Sequence, residues 1–456
     1  MFTPIDLSRR CRLLRRLPCA VALLLCIRLG VASAAEDHPL WDHIQCEDDF
    51  ADLRNVNARW FAKEGGRLNL TVSDAATPSY AWVTIDQPPG GWDLSRRATV
   101  EAKVTNEGKV ASEVQLWVVA ERGWEPVSDV IILEPGDSRR MVCDLRQTFK
   151  DGTTKLNPSR IKSIRILLRG KGVRAGTRIT VSGLAAHGEA PPWEPQPDRL
   201  EVPPVQDGPP AAGKRVRYRP ALETSPDIYC ILYLPEDWKP DGTYPVIAEY
   251  PGNIFFVRDC YSPGLPEQCA IGYGMTQGKG AIWVSLPFID GQQDAIAEDG
   301  WGNPDDTAAY CREVIEDVCA KFGGDPENLV LTGFSRGAIA CGYIGLRNET
   351  IARLWKGMHL CQHYDGDGWK GATMHDAVER ARRFRGIAVF NTDNPEIKMQ
   401  PLTEAMGAPV TFARSGLGAH STAMFLDSRP STLQLRSWFA DLVGTKSAPD
   451  PDKAAE

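Results

Sequence analysis

Apolar and polar positions follow two rhythms along this chain. Up to residue 190, apolar side chains tend to recur at every second position. The stretches 98–106 (ATVEAKVTN), 112–120 (SEVQLWVVA), 163–170 (SIRILLRG) and 177–186 (TRITVSGLAA) carry that alternation. A period of two sends successive side chains to opposite faces, so each stretch predicts a half-buried strand. Asn106-Glu107-Gly108, Pro135-Gly136-Asp137 and Gly170-Lys171-Gly172 punctuate them as turns. Many short strands between turns predict an all-β sandwich over residues 35–190.

Beyond residue 214 the apolar runs become continuous. The stretches 244–252, 280–288, 328–335, 357–365, 385–393 and 409–416 predict buried strands. Between two of them, Tyr310, Val314, Ile315, Val318 and Phe322 recur at helical spacing. Asp305 and Asp306 suit the first turn of that helix, and Gly323-Gly324 suits its stop. Apolar strands alternating with helices predict a mostly parallel sheet covered on both faces, over residues 214–445. Between the halves, residues 191–213 hold eight prolines from Pro191 to Pro210, the composition of an extended linker. Residues 446–456 read as a disordered tail.

The amino terminus has its own signature. Arg9, Arg10, Arg12, Arg15 and Arg16 precede an apolar run from Leu17 to Ile27, and Ala32-Ser33-Ala34 follows. A basic head, a short apolar middle and small residues at the end predict a signal peptide over residues 1–34, and hence export to a periplasmic or extracellular space. Cleavage there would remove six Arg and one Asp, taking the net charge from −7 to −12. An acidic chain with no long basic run argues against nucleic acid as a partner. No apolar run reaches the roughly 18 residues of a membrane span. Nine cysteines would remain, so at least one thiol stays unpaired within the chain; Cys260 and Cys269 share one loop-like stretch and could bridge. With no CxxC pair, a structural zinc site has no support.

The chemistry gathers around Gly333-Phe334-Ser335-Arg336-Gly337, the one Gly-x-Ser-x-Gly of the chain. An apolar strand leads into it and a helical stretch leads out. That strand–turn–helix context predicts a serine presented on a sharp bend, beside the free N–H groups of a helix start. A serine hydroxyl needs a base and an orienting acid. His420, in Gly416-Leu417-Gly418-Ala419-His420-Ser421, stands on a flexible loop before the terminal helix 431–443 and is the expected base. Asp393, at the end of 385–393, is favoured as the acid, with Asp365 as the alternative and Asp367 behind both. The Arg336 side chain is expected at the site mouth, to attract a substrate carboxylate or to pair with a loop acid.

These residues carry a resemblance. The run FGGDPENLVLTGFSRGA resembles the nucleophile region of dienelactone hydrolases, prolyl oligopeptidases and secreted carbohydrate esterases, so residues 214–445 look like an α/β-hydrolase domain. Glu249-Tyr250-Pro251-Gly252-Asn253 stands where those enzymes carry a His-Gly oxyanion loop, with Tyr-Pro-Gly as a departure. The resemblance implies an oxyanion hole built by the backbone N–H groups of Arg336 and Asn253. The strand-and-turn order of residues 41–187 is similar to galactose-binding-like jelly-roll modules that accompany polysaccharide-active enzymes. Trp92 and Trp124, near turns, stand either as packing residues or as platforms for sugar rings.

The expectation is therefore a serine esterase without cofactor or metal, acting on a small-molecule or polysaccharide ester. Two other readings stay open: a prolyl oligopeptidase-like peptidase, and a carbohydrate-binding protein with an inactive hydrolase domain. Gly366-Asp367-Gly368-Trp369-Lys370-Gly371 fits a dinucleotide pattern but follows a late, polar-ended strand. His359 and His363 lie four apart in a strand with no glutamate between them, which does not suit zinc.

Overall fold

The computed structural model describes residues 37–73, 80–120, 126–170, 173–194, 199–220, 225–257, 260–364 and 366–444. The expected signal peptide, Trp124, Asp365 and the tail 446–456 lie outside the described residues.

The alternating stretches of the first half pair into two sheets. One runs Val56–Phe61, Arg67–Val72, Arg178–Glu189, Arg97–Asn106, Ser138–Asp144, with His38–Pro39 also on Arg178–Glu189. The other runs Asp52–Arg54, Tyr80–Asp86, Ile161–Arg169, Ser112–Ala120, Val127–Leu133. Their inner faces share a core that includes Leu70, Val83, Val104, Leu116, Ile166 and Val181. Trp92 belongs to this core and is 4% exposed, so it is a packing residue. The second sheet is also covered on its outer face. Trp82, Trp117, Val119 and Leu167 point away from the sandwich core and cluster with Ile254 of the second half.

In the second half a nine-stranded sheet runs Val205–Gln206, Arg215–Tyr218, Cys230–Tyr233, Ile282–Ser285, Tyr244–Tyr250, Gly324–Phe334, Gly357–Cys361, Ala388–Thr392, Val410–Ala413. Val205–Gln206 and the buried partners of Leu200 and Val202 bring the proline-rich stretch alongside this half. The helices Pro304–Phe322 and Arg336–Tyr343 cover one face of the sheet. Ile271–Thr276 and Pro430–Val443 cover the other. Asn303 caps Pro304–Phe322 by accepting from the Asp305 and Asp306 amides, and Gly323 ends it at φ 76°.

The expected fold class, an α/β-hydrolase domain with a mostly parallel sheet behind a jelly roll, needs correction. Strands make up 37% of the described residues against 23% for helices. Among the described residues, thirteen strand pairs are antiparallel and six are parallel. Even the nine-stranded sheet is mixed, because Arg215–Tyr218, Cys230–Tyr233 and Ile282–Ser285 pair antiparallel. Apolar, helix-separated strands predict parallel pairing, but the short connection between Arg215–Tyr218 and Cys230–Tyr233 returns the chain antiparallel without a crossover helix.

One buried polar chain crosses the middle of this sheet. His359, fully buried, bonds Thr332 through Nδ1 (2.8 Å) and Thr392 through Nε2 (2.9 Å). Burial holds this imidazole neutral, its pKa lowered to about 3. A folded-state pKa below the unfolded one gives stability that is present above pH 6.5 and lost as the pH falls towards about 3. Melting curves between pH 7 and 4 should show stability falling by up to about 1.4 kcal/mol per pH unit from this residue alone. His359→Gln should flatten that slope, and an unchanged slope would count against the assignment.

Candidate active site

Ser335 sits where Gly324–Phe334 ends and Arg336–Tyr343 begins, with φ 56° and ψ −116°. Few residues with a side chain adopt that conformation, so the surroundings must enforce it. Two glycines make room for the bend. A Cβ at Gly333 would lie 2.2 Å from the backbone of Gly337, and one at Gly337 would lie 2.0 Å from the Tyr250 carbonyl oxygen. The Ser335 amide donates to the Cys361 carbonyl at 3.0 Å, pinning the bend to the neighbouring strand.

The strain is not confined to Ser335. Gln362 (φ 59°) and Asp393 (φ 58°) stand at the ends of the next two strands, also in the left-handed region. Three such residues side by side mark a built site. The Asp393 carboxylate accepts from the Ser415 amide (2.8 Å), the Ser415 hydroxyl (2.5 Å) and Gln362 Nε2 (3.3 Å). Gln362 Nε2 also donates to the carbonyl of Ala419 at 2.7 Å, the residue before His420. Neither Gln362 nor Ser415 belongs to a sequence motif. Their signal is position alone, each just past a strand end.

The His420 ring lies 4.5 Å from the ring of Phe334, the residue before Ser335, 5.4 Å from His363 and 5.9 Å from Phe255. Burial, with the His363 ring beside it, lowers its pKa to about 4. The structure therefore brings His420 next to the serine turn. Among the described residues, no hydrogen bond joins His420 to Ser335 or to Asp393; Asp393 reaches the His420 loop through Gln362. His363 has a carboxylate of its own, with Nδ1 3.3 Å from Asp367. His375, on Met374–Arg383, is exposed.

Arg336 departs from expectation. Its side chain is 1% exposed and does not stand at a mouth. The guanidinium lies 3.9 Å over the Phe288 ring and donates to four carbonyls: Gly264 (2.8 Å), Gly252 and Gly300 (2.9 Å each) and Ala297 (3.1 Å). Burial lowers its pKa to about 9. The sequence could not show that four loop carbonyls converge here. The backbone N–H of Arg336 opens the first turn of its helix, where amides have no intrahelical acceptor. Asn253 is tied down beside it: Nδ2 donates to Asp299 (2.7 Å), and Oδ1 accepts from the Gly300 amide (2.9 Å).

Glu249, at the start of the expected oxyanion stretch, is buried and does another job. Its carboxylate accepts from the amides of Ala270, Ile271 and Gly272 and from Trp283 Nε1, capping the helix Ile271–Thr276. Cys269 is a free, buried thiol. No group of His, Cys, Asp and Glu among the described residues is arranged to hold a metal ion.

No family model and no curated protein matches the chain. Similar solved structures include an exo-β-agarase (14% identity, 34% of this chain and 24% of that one, TM-score 0.25). They also include the AtxE2 isopeptidase with astexin-3 bound (12%, 91% and 65%, TM-score 0.40). A third is esterase 2 of the Planctomycetes species Thermogutta terrifontis (18%, 53% and 95%, TM-score 0.33). The chain spans under two thirds of the agarase and of the isopeptidase. None of the three carries the functional reading, which rests on the site itself.

Two substitutions test the packing of the turn. Gly337→Ala should destabilise by about 3 kcal/mol, because the new methyl meets backbone rather than a movable side chain. Arg336→Lys keeps the charge but cannot span four carbonyls, and should cost on the order of 3 kcal/mol. Urea denaturation reads both; a loss under 1 kcal/mol in either would contradict the contact described.

Proposed function

We propose that the chain is an exported serine hydrolase, an esterase that cleaves ester groups on carbohydrate or a related acylated substrate. The observation that carries the reading is Ser335 held at a strained strand-to-helix bend, with helix-start amides on one side and a neutral imidazole on the other. The carbohydrate part rests on the attached sandwich, and export rests on the sequence of residues 9–34.

In this reading the Ser335 hydroxyl oxygen attacks the ester carbonyl carbon while His420 takes its proton. The carbonyl oxygen becomes an oxyanion, received by the amides of Arg336 and Asn253. Collapse of the tetrahedral intermediate breaks the bond to the leaving alcohol, and His420 returns the proton to that alcohol. Water then attacks the acyl-enzyme by the same route and frees the acid. The Asp393 charge, oriented by Ser415 and Gln362, favours the imidazolium formed on the way. His420 must turn its ring from Phe334 towards the hydroxyl, a tightening common when substrate arrives.

A second reading has one observation behind it. His363 already faces a carboxylate, Asp367, and stands next to His420, so it is the rival base.

Mass spectrometry after fluorophosphonate treatment should place the adduct on the peptide holding Ser335, and Ser335→Ala should remove it. Turnover of p-nitrophenyl acetate should fall at least about 10³-fold in Ser335→Ala and in His420→Ala. If His363→Ala is the variant that loses activity, the rival base is correct. A general base works unprotonated, so kcat/KM should fall on the acid side, with the limb displaced below the ordinary histidine value of 6.5 towards about 4 in the free enzyme. Faster cleavage of a peptide anilide than of any ester would replace esterase with peptidase.

A further inference from the structure

The sandwich meets the second half at the loop that holds Asn253. On the sandwich side, Arg54 ends the strand Asp52–Arg54 and lies 4.7 Å over the Trp82 ring. Trp82 in turn donates to Asp52 and is 2% exposed. The Arg54 guanidinium grips both carboxylate oxygens of Glu298, Nη2 donating to Oε1 at 3.2 Å and Nη1 donating to Oε2. A planar guanidinium on a carboxylate fixes direction as well as distance.

Glu298 sits in the middle of the loop that Arg336 also grips. Arg336 takes the carbonyls of Ala297, just before Glu298, and of Gly300, two residues after it. The Glu298 carbonyl accepts from the Ile254 amide at 2.9 Å, and Asp299 and Gly300 hold the two ends of the Asn253 amide side chain. Lys370 pairs with Asp299 from the far side. Residues 297–300 are thus held from inside by Arg336 and from the sandwich by Arg54, and Asn253 and Ile254 hang on them. Ile254 closes the contact by packing on Trp82 and Trp117.

We infer that Arg54 of the sandwich is a positioning residue for the oxyanion-binding backbone at Asn253, acting through Glu298. The outer face of the second sandwich sheet is the wall that carries this contact, not a free surface for a glycan. The inference rests on the serine-hydrolase reading.

The experiment uses the full chain and p-nitrophenyl acetate, an ester too small to need contacts on the sandwich. Arg54→Ala should lower kcat about 10- to 100-fold with KM nearly unchanged, as expected when an oxyanion donor is misplaced. Arg54→Lys should recover part of the loss. Glu298→Arg alone should match Arg54→Ala, and the swapped pair Arg54→Glu with Glu298→Arg should restore turnover towards wild type. A role only in stability would lower the melting temperature and leave kcat per labelled serine unchanged, with fluorophosphonate counting the active sites in each variant. Wild-type kcat in Arg54→Ala, or a swap that recovers nothing, overturns the inference. Absence of any adduct or turnover in the wild type overturns the hydrolase reading instead, and the catalytic role of Arg54 falls with it.

Discussion

The Arg336 guanidinium is the point on which the site depends. A buried cation is costly unless its donors are met, and here four carbonyls from three loops meet them. Neighbouring carbonyls would otherwise repel one another, so the cation is what lets the loops at residues 252, 264 and 297–300 approach. The same residue follows Ser335 directly. Its backbone therefore shapes the bend while its side chain fixes the loops around it, and neither can shift alone.

Strain is the second constraint. Ser335, Gln362 and Asp393 take left-handed backbone conformations at the ends of three adjacent parallel strands. A rigid sheet can impose such conformations because its registers are fixed from both sides. The polar groups there are held less tightly: the carboxamide of Gln362 divides one nitrogen between Asp393 and the Ala419 carbonyl.

Much of this was legible in the chain's pattern, for identifiable reasons. The alternation at 112–120 and the helical spacing at 305–322 reappear as the strand Ser112–Ala120 and the helix Pro304–Phe322. Period and caps are local signals, readable without knowing the partners. Gly333 and Gly337 also announced their packing, since crowding at such a turn is a local matter. What escaped was non-local. Sheet direction depends on which strand comes to lie beside which, and the antiparallel edge was missed. The fate of the Arg336 side chain depends on carbonyls 36 to 84 residues away. Gln362 and Ser415 carry no motif, and only the meeting of strand ends gives them a part.

The strand Tyr80–Asp86 is buried on both faces of its sheet, with Trp82 and Trp117 of the outer face clustered with Ile254. Its outer indoles are interior residues of the whole molecule. A recombination event that carried the first half to another enzyme would strip those rings of their cover and leave a greasy scar on each fragment. Heredity would then keep the two halves together, travelling as one gene segment in spite of the proline-rich stretch between them.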